Sequence, residues 1–114
     1  MNTQKLLNCV NMEDCIFCKE TNKVNTVPTF KHWYLKWDEY PVNPGHLLII
    51  SKRHISSIFQ VNIVEMIELC KVLYHVKNII VDNYKPNGVN IGINDGVAAG
   101  QSIMHLHIHI IPRY

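Results

Sequence analysis

Hydrophobic and polar positions change period along the chain, and the changes divide it into elements. Residues 30–38, FKHWYLKWD, alternate: Phe30, His32, Tyr34, Lys36 and Asp38 share one side, Trp33, Leu35 and Trp37 the other. A period of two predicts a strand, closed by the turn residues Pro41, Asn43, Pro44 and Gly45. Residues 46–51 are almost continuously apolar, as in a strand with neighbours on both sides. From residue 62 to 84 the period becomes helical. Asn62 is a good N-cap and Glu65 completes a capping box. Ile63, Met66, Leu69, Leu73, Val76 and Ile80 are predicted to be buried, with Glu65, Glu68, His75, Asn78 and Asp82 on the solvated side. Lys85, Pro86, Asn87 and Gly88 stop this helix. A strand over 89–93, a loop over 94–100 and a last strand over 103–111 follow. One long helix between strand pairs joined by tight turns predicts an α+β fold with a largely antiparallel sheet.

Composition narrows the function. The chain has 114 residues, 47% hydrophobic and 18% charged, which suits one domain with a real core. Residues 1–14 read as a polar arm and 15–114 as a single domain. No apolar run approaches the roughly 20 residues of a membrane span. The first residues lack the apolar block of a signal peptide, so a cytoplasmic location is expected. Eleven basic and nine acidic side chains give +2, too little for nucleic-acid binding by bulk charge. Histidine is abundant instead: seven residues, three within the last ten.

Four cysteines bring a second signal. Cys15 and Cys18 form C-x-x-C, a metal-ligand pair or a redox pair. A redox pair opens a helix after a strand; here a short polar stretch follows, which favours metal. Cys70 reads as a buried core thiol, and Cys9 carries no signal.

The last strand holds the densest chemistry. In IMHLHIHII every second residue is histidine, so His105, His107 and His109 project from one face about 6.5–7 Å apart, with Leu106, Ile108 and Ile110 turned to the core. Packing alone rarely places three imidazoles in strict alternation. They could bind one metal as a His₃ site, or one imidazole could be a nucleophile served by the others. The stretch GINDGVAAGQS just upstream supplies Gly92, Gly96, Gly100, Asn94, Gln101 and Ser102. Glycine-rich backbone with amide and hydroxyl donors suits an anionic oxygen ligand such as phosphate, which favours the nucleophile.

These blocks resemble the histidine triad (HIT) family of nucleotide hydrolases and transferases. Residues 105–111, HLHIHII, fit its His-φ-His-φ-His-φ-φ signature, with φ apolar. NDGVAAGQS is similar to its Asn–Gly–Gln–Ser loop, and NPGHLLIISKRH to its Gly-His strand and basic turn. The similarity runs over residues 15–113. It implies a five-stranded antiparallel sheet with one main helix and a short helix, paired into a homodimer. It implies hydrolysis or transfer at the α-phosphate of nucleoside phosphoramidates or dinucleoside polyphosphates, of adenosine or guanosine type, without an organic cofactor. His107 matches the nucleophile that forms a nucleotidyl-histidine. His109 would orient His107 and select its tautomer while also meeting the nucleotide, and His105 completes the triad. His46 and Ser102 match contacts to phosphate oxygens or the leaving group, Asn94 and Gln101 match phosphate-binding positions, and Asp38 matches the ribose contact. Ile16 and Phe17 match the platform under the base. Where relatives add an apolar wall to the base slot, this sequence has Lys36 and Glu39. The resemblance also implies a tail on the leaving-group side, beyond the point where this sequence stops. Some relatives, including galactose-phosphate uridylyltransferases, hold a structural zinc, and Cys15, Cys18, His54 and His105 stand at the matching places. Such a closed Cys₂His₂ site leaves His107 free.

Overall fold

The computed structural model describes residues 14–21 and 30–114. The N-terminal arm up to residue 13, with Cys9, lies outside them. Among the described residues, six elements carry the fold: helix α1, Ile16–Thr21; strand β1, Trp33–Trp37; strand β2, Leu47–Ser51; helix α2, Ile63–Tyr84; strand β3, Gly88–Gly92; and strand β4, His107–Arg113. Single 3₁₀ turns lie at Ile58–Gln60 and Val97–Ala99. The sheet order is β1-β2-β4-β3 with every neighbouring pair antiparallel. The expected α+β fold is therefore present, and the apolar β2 is interior and wholly buried.

The described residues form a four-stranded sheet, not the five strands that the resemblance implied. The alternating segment predicted from residue 30 becomes strand only at Trp33. The main-chain N–H groups of Lys31 and His32 donate to the Glu68 carboxylate at 3.0 and 2.6 Å instead of to a neighbouring strand. At the other end, β4 starts at His107 and not at residue 103. The Leu106 N–H donates to the Ile55 carbonyl at 2.7 Å, which draws the chain away from the regular ladder and leaves His105 in a bend before the strand.

The sheet has two covered faces. Trp33, Leu35, Leu47, Ile49, Ile108 and Ile110 pack with Leu69, Val72, Val76 and Ile80 of α2 in the main core. Tyr34, Leu48 and Ile50 form a smaller cluster on the opposite face with Cys15 and Phe17 of the α1 segment. The Tyr34 hydroxyl donates to the Phe17 carbonyl at 2.6 Å and so ties α1 to the sheet. His107 and His109 belong to this second face, because they pair across β2 with Ile50 and Leu48.

Helix α2 has the predicted cap: Asn62 accepts from the Glu65 N–H at 2.8 Å and the Glu65 carboxylate accepts from the Asn62 N–H at 3.0 Å. Its buried stripe is Glu65, Leu69, Val72, Val76 and Ile80. Three expectations are corrected. Ile63 and Met66 are exposed, and Cys70 is an exposed thiol beside the groove between α2 and β3, not a core one. Glu65 is buried rather than solvated, because the cap turns its carboxylate inward to meet the Arg53 guanidinium at 2.8 and 3.1 Å.

Hydrogen bonding from Arg53 is the largest of the influences holding the Glu65 carboxyl below its ordinary value of 4.5, against the opposing effect of burial. A carboxyl with a lowered native pKa stabilises the fold above about pH 4.5, and that contribution disappears as pH falls through the native value. Glu65→Gln keeps the cap acceptor and removes the charge. We expect it to lower stability at pH 7 by about 1–3 kcal/mol and to flatten the loss of stability between pH 5 and 3 in urea titrations. A variant with the wild-type acid profile would show that this pair does not set it.

Gly45 positions the next residue, His46. Its φ of +87° is left-handed, and a Cβ there would lie 2.9 Å from the Tyr84 ring and 3.1 Å from Pro112. Both conditions call for glycine.

Candidate active site and metal cluster

Strand pairing aligns the reactive side chains in rows. Lys36 pairs with Leu48 and Leu48 with His109, while Tyr34 pairs with Ile50 and Ile50 with His107. His107 is 7% exposed and its ring meets Phe17 edge-on, with centroids 5.1 Å apart. The His107 Nδ1–H donates to the carbonyl of His105 at 2.7 Å. That bond selects the tautomer and leaves the Nε2 lone pair available. The orienting bond expected of the His109 ring is made by the main chain of His105, because the bend before β4 turns that carbonyl back onto the imidazole.

His109 belongs to a different network. The Val42 N–H donates to His46 Nδ1 at 3.0 Å, which places the His46 proton on Nε2. That Nε2–H donates to His109 Nδ1 at 2.9 Å and lies 3.3 Å from Asp38 Oδ2. His109 must then carry its own proton on Nε2, as an outward donor. Burial lowers the pKa of His46, His107 and His109 below the ordinary 6.5, partly opposed at each by the Asp38 charge, so all three rings are neutral near pH 7. Asp38 also accepts from the Tyr40 N–H at 2.8 Å. It faces the histidines rather than standing alone.

Two clefts flank this row. The first, about 220 Å³, is lined by Ile16, Phe17, Leu48 and Ile103 as an apolar surface, by His107, His109, Asp38 and Ser102, and by Lys36, Glu39 and Tyr40. The second, about 290 Å³, is lined by Val42, His46, Asn90, Gly92, Asn94 and others, and it shares His109 with the first. Of the expected site residues, Ile16, Phe17, Asp38, Ser102, His107 and His109 thus meet in one cleft, and Asn94 and His46 in its neighbour. Gln101 does not reach either. Its amide is buried, accepting from the Gly96 N–H at 2.7 Å and donating to the Ser56 and Ile103 carbonyls at 2.9 and 3.0 Å, so it shapes the glycine-rich loop from within. Residue-type reasoning had missed Asp95, whose Oδ2 accepts from the Ser57 hydroxyl and the Ile58 N–H, both at 2.8 Å, and so clasps that loop to the chain after His54. An aspartate before glycine after a strand is a turn signal, and only the fold shows what it holds.

His105 faces away from the clefts, with no surface exposed. Its Nε2–H donates to the Ser51 carbonyl at 2.6 Å, leaving Nδ1 as a lone pair. That Nδ1 lies 3.2 Å from Cys15 Sγ, 3.5 Å from Cys18 Sγ and 3.2 Å from His54 Nδ1, and Cys18 Sγ is 3.0 Å from His54 Nδ1. All four ligand atoms lie within 4.8 Å of one another. A tetrahedral zinc with bonds of about 2.0 Å to nitrogen and 2.3 Å to sulfur spaces its ligands about 3.3–3.8 Å apart, so the set is fitted to such an ion. The carbonyl fixing the second nitrogen of His105 is the usual support of a ligating histidine. Burial pushes the His105 pKa down to about 4, which keeps the ring in its ligating, neutral form.

Asp38, His46 and His109 also lie close enough to share an ion. However, the Val42 bond puts a proton on the His46 nitrogen that faces the other two, so this group is a hydrogen-bonded set. The three triad histidines do not converge on one point either: His105 serves the cysteine cluster, and His107 and His109 face the clefts.

Comparison with known proteins gives this geometry a lineage. A 37% identical relative from Bacillus subtilis, named Protein hit, aligns over 111 residues, 90% of this chain and 72% of that protein. The asymmetrical bis(5'-nucleosyl)-tetraphosphatase of Schizosaccharomyces pombe is 38% identical over 73 residues, 64% of this chain, which spans 40% of that enzyme's length. Among solved structures, a HIT family member from Bacillus subtilis superposes with a TM-score of 0.81 at 34% identity, covering 89% of this chain and 74% of that one. A zinc-bound histidine triad family protein from Mycobacterium smegmatis superposes with a TM-score of 0.79 at 25% identity, covering 91% and 78%. The family model described as HIT domain matches residues 19–114, and the chain belongs to the HIT family.

Proposed function

We propose that the protein is a hydrolase that cleaves at the α-phosphate of nucleoside phosphoramidates or dinucleoside polyphosphates through a nucleotidyl-histidine on His107. The observation that carries this reading is the buried, neutral His107, whose tautomer is set by the His105 carbonyl and whose free Nε2 belongs to a cleft with an apolar platform. The Nε2 lone pair attacks the α-phosphorus, an N–P bond forms, and the bond to the leaving group breaks with its electron pair, an amine leaving with a proton taken up from solvent and a polyphosphate as the anion. His109 Nε2–H donates to the bridging atom as charge builds there. Its place between the two clefts suits a nucleotide in the first and a leaving group in the second. Water then attacks phosphorus, releases its proton to solvent and frees His107. Dividing one displacement into two lowers the barrier of each. Ile16 and Phe17 offer the base platform, and Asp38, Ser102 and Asn94 offer polar contacts to ribose, phosphate and leaving group. The tetraphosphatase activity named for the Schizosaccharomyces pombe relative supports this substrate class.

Cys15, Cys18, His54 and His105 would hold a structural zinc, which when bound supplies a cross-link between the α1 segment and the catalytic strand. The zinc-bound Mycobacterium smegmatis relative supports that identity. Pairing into a homodimer is supported by the exposed edge strand β3 and by the groove between it and α2, about 390 Å³ and lined by Leu73, Tyr74, Val81, Val89 and Ile91 among others. Among the described residues no helix is long and apolar enough to cross a membrane.

The test is turnover of adenosine and guanosine 5'-phosphoramidates and of a dinucleoside tetraphosphate, with and without a chelator added at the start of the assay. Turnover that survives the chelator over the first minutes is expected. Immediate loss would indicate a metal-dependent phosphodiesterase, and no turnover of any substrate would indicate a non-catalytic nucleotide binder.

A further inference from the structure

The first cleft ends in charges. Lys36 Nζ lies 3.4 Å from Glu20 Oε1 and 3.3 Å from Glu39 Oε1, and 5.9 Å from the centroid of the Phe17 ring. The ammonium-bearing side chain is 17% exposed, those of Glu20 and Glu39 29% and 60%. Lys36 and Glu39 line the same cleft as His107 and His109. The cross-strand row Lys36–Leu48–His109 sets their distance: two strand spacings, about 10 Å. A nucleotide with its phosphate at the histidines and its base on Ile16 and Phe17 therefore presents the outer edge of that base to this cation and these carboxylates.

An apolar wall would accept any base of suitable size, whereas a charged wall reads its edge. Resting on the proposed nucleotide reaction, we infer that Lys36 and Glu39, backed by Glu20, select guanine over adenine. Guanine places an acceptor, O6, beside two donors, N1–H and the 2-amino group. A carboxylate accepts both donors as a bidentate pair while the ammonium donates to O6, and bonds to charged partners are the stronger ones. Adenine offers a carboxylate one amino group and sets the N1 lone pair against it, a repulsive contact that discriminates as effectively as the attractive ones. Lys36 and Glu39 line the cleft and Lys36 is already held by both Glu39 and Glu20, so little ordering is needed when the base arrives. Hypoxanthine keeps O6 and N1–H but lacks the 2-amino group, so it ranks between the two.

The experiment compares kcat/KM for guanosine, inosine and adenosine 5'-phosphoramidates, which share one leaving group, in wild type and in the Glu39→Gln and Lys36→Met variants. The wild type is expected to prefer guanosine over adenosine by about tenfold or more, with inosine between. Glu39→Gln is expected to bring the guanosine-to-adenosine ratio down toward unity, and Lys36→Met to lower guanosine and inosine together. Equal use of the three bases, a preference for adenosine, or a ratio untouched by Glu39→Gln would overturn the inference. Turnover of all three would then still leave the nucleotide reaction standing, whereas that reaction itself fails if none is turned over.

Discussion

Replacing His107 by asparagine is expected to lower kcat/KM for every substrate by about 10⁴-fold while the protein remains folded. No other side chain can substitute. His109 Nδ1 is occupied by the His46 Nε2–H, His46 Nδ1 by the Val42 N–H, and His105 Nε2–H is directed at the Ser51 carbonyl. His107 is the triad ring with an unengaged lone pair in the first cleft. Removing the proposed nucleophile would leave only binding and electrostatic assistance, which sets the expected size of the loss. Asparagine retains an amide donor toward the His105 carbonyl, so the fold should tolerate it. Steady-state rates together with circular dichroism and a thermal scan check both halves; a folded variant retaining more than about a tenth of the activity would remove His107 from the chemistry.

The second large effect concerns the metal cluster. Freshly purified protein should contain one zinc per chain, and Cys15→Ser should contain none and melt at least about 10 °C lower. Cys15 is completely buried and stands in the small core with Phe17, Tyr34, Leu48 and Ile50. Without the ion, two cysteines and two histidines crowd into a space with no cation to bring them together. Binding energy at a structural zinc is folding energy, and for a domain of this size each kcal/mol moves the melting point by about 4–8 °C. Chelation should therefore act slowly, following unfolding, and the loss of activity should track the loss of structure. Metal analysis and differential scanning calorimetry decide it: wild type without zinc, melting at the same temperature as Cys15→Ser, would eliminate the structural metal.

Local rules made much of this architecture legible in the sequence. The cap and both ends of α2 followed from Asn62, Glu65 and the Lys85–Gly88 stop, because capping and termination depend on a few adjacent residues. The interior place of β2 followed from its unbroken apolar run. The gathering of Cys15, Cys18, His54 and His105 across the sheet came through resemblance, since spacing alone does not reveal which distant histidine returns to a C-x-x-C pair. What escaped was decided by tertiary competition for hydrogen bonds. Glu68 takes two N–H groups that a longer β1 would have used, Ile55 takes that of Leu106 just before β4, and Arg53 draws Glu65 inward against its polarity. The burial of α2 was misjudged at Ile63, Met66 and Cys70 because the helix carries apolar residues on more than one side, and periodicity cannot say which side meets the sheet. The partner that sets the His107 tautomer is hidden from the sequence for a similar reason: the decisive acceptor is a main-chain carbonyl, placed by a bend that side-chain identity does not encode.

The covalent nucleotidyl-histidine is the central claim, and rapid acid-free quenching followed by intact-protein and peptide mass spectrometry tests it most directly. During turnover of a guanosine phosphoramidate, wild type should gain the mass of one nucleoside monophosphate less water, localised to His107, labile to acid and absent from His107→Asn. Full turnover in the pre-steady state with no adduct at any time, or an adduct on another residue, would contradict the account.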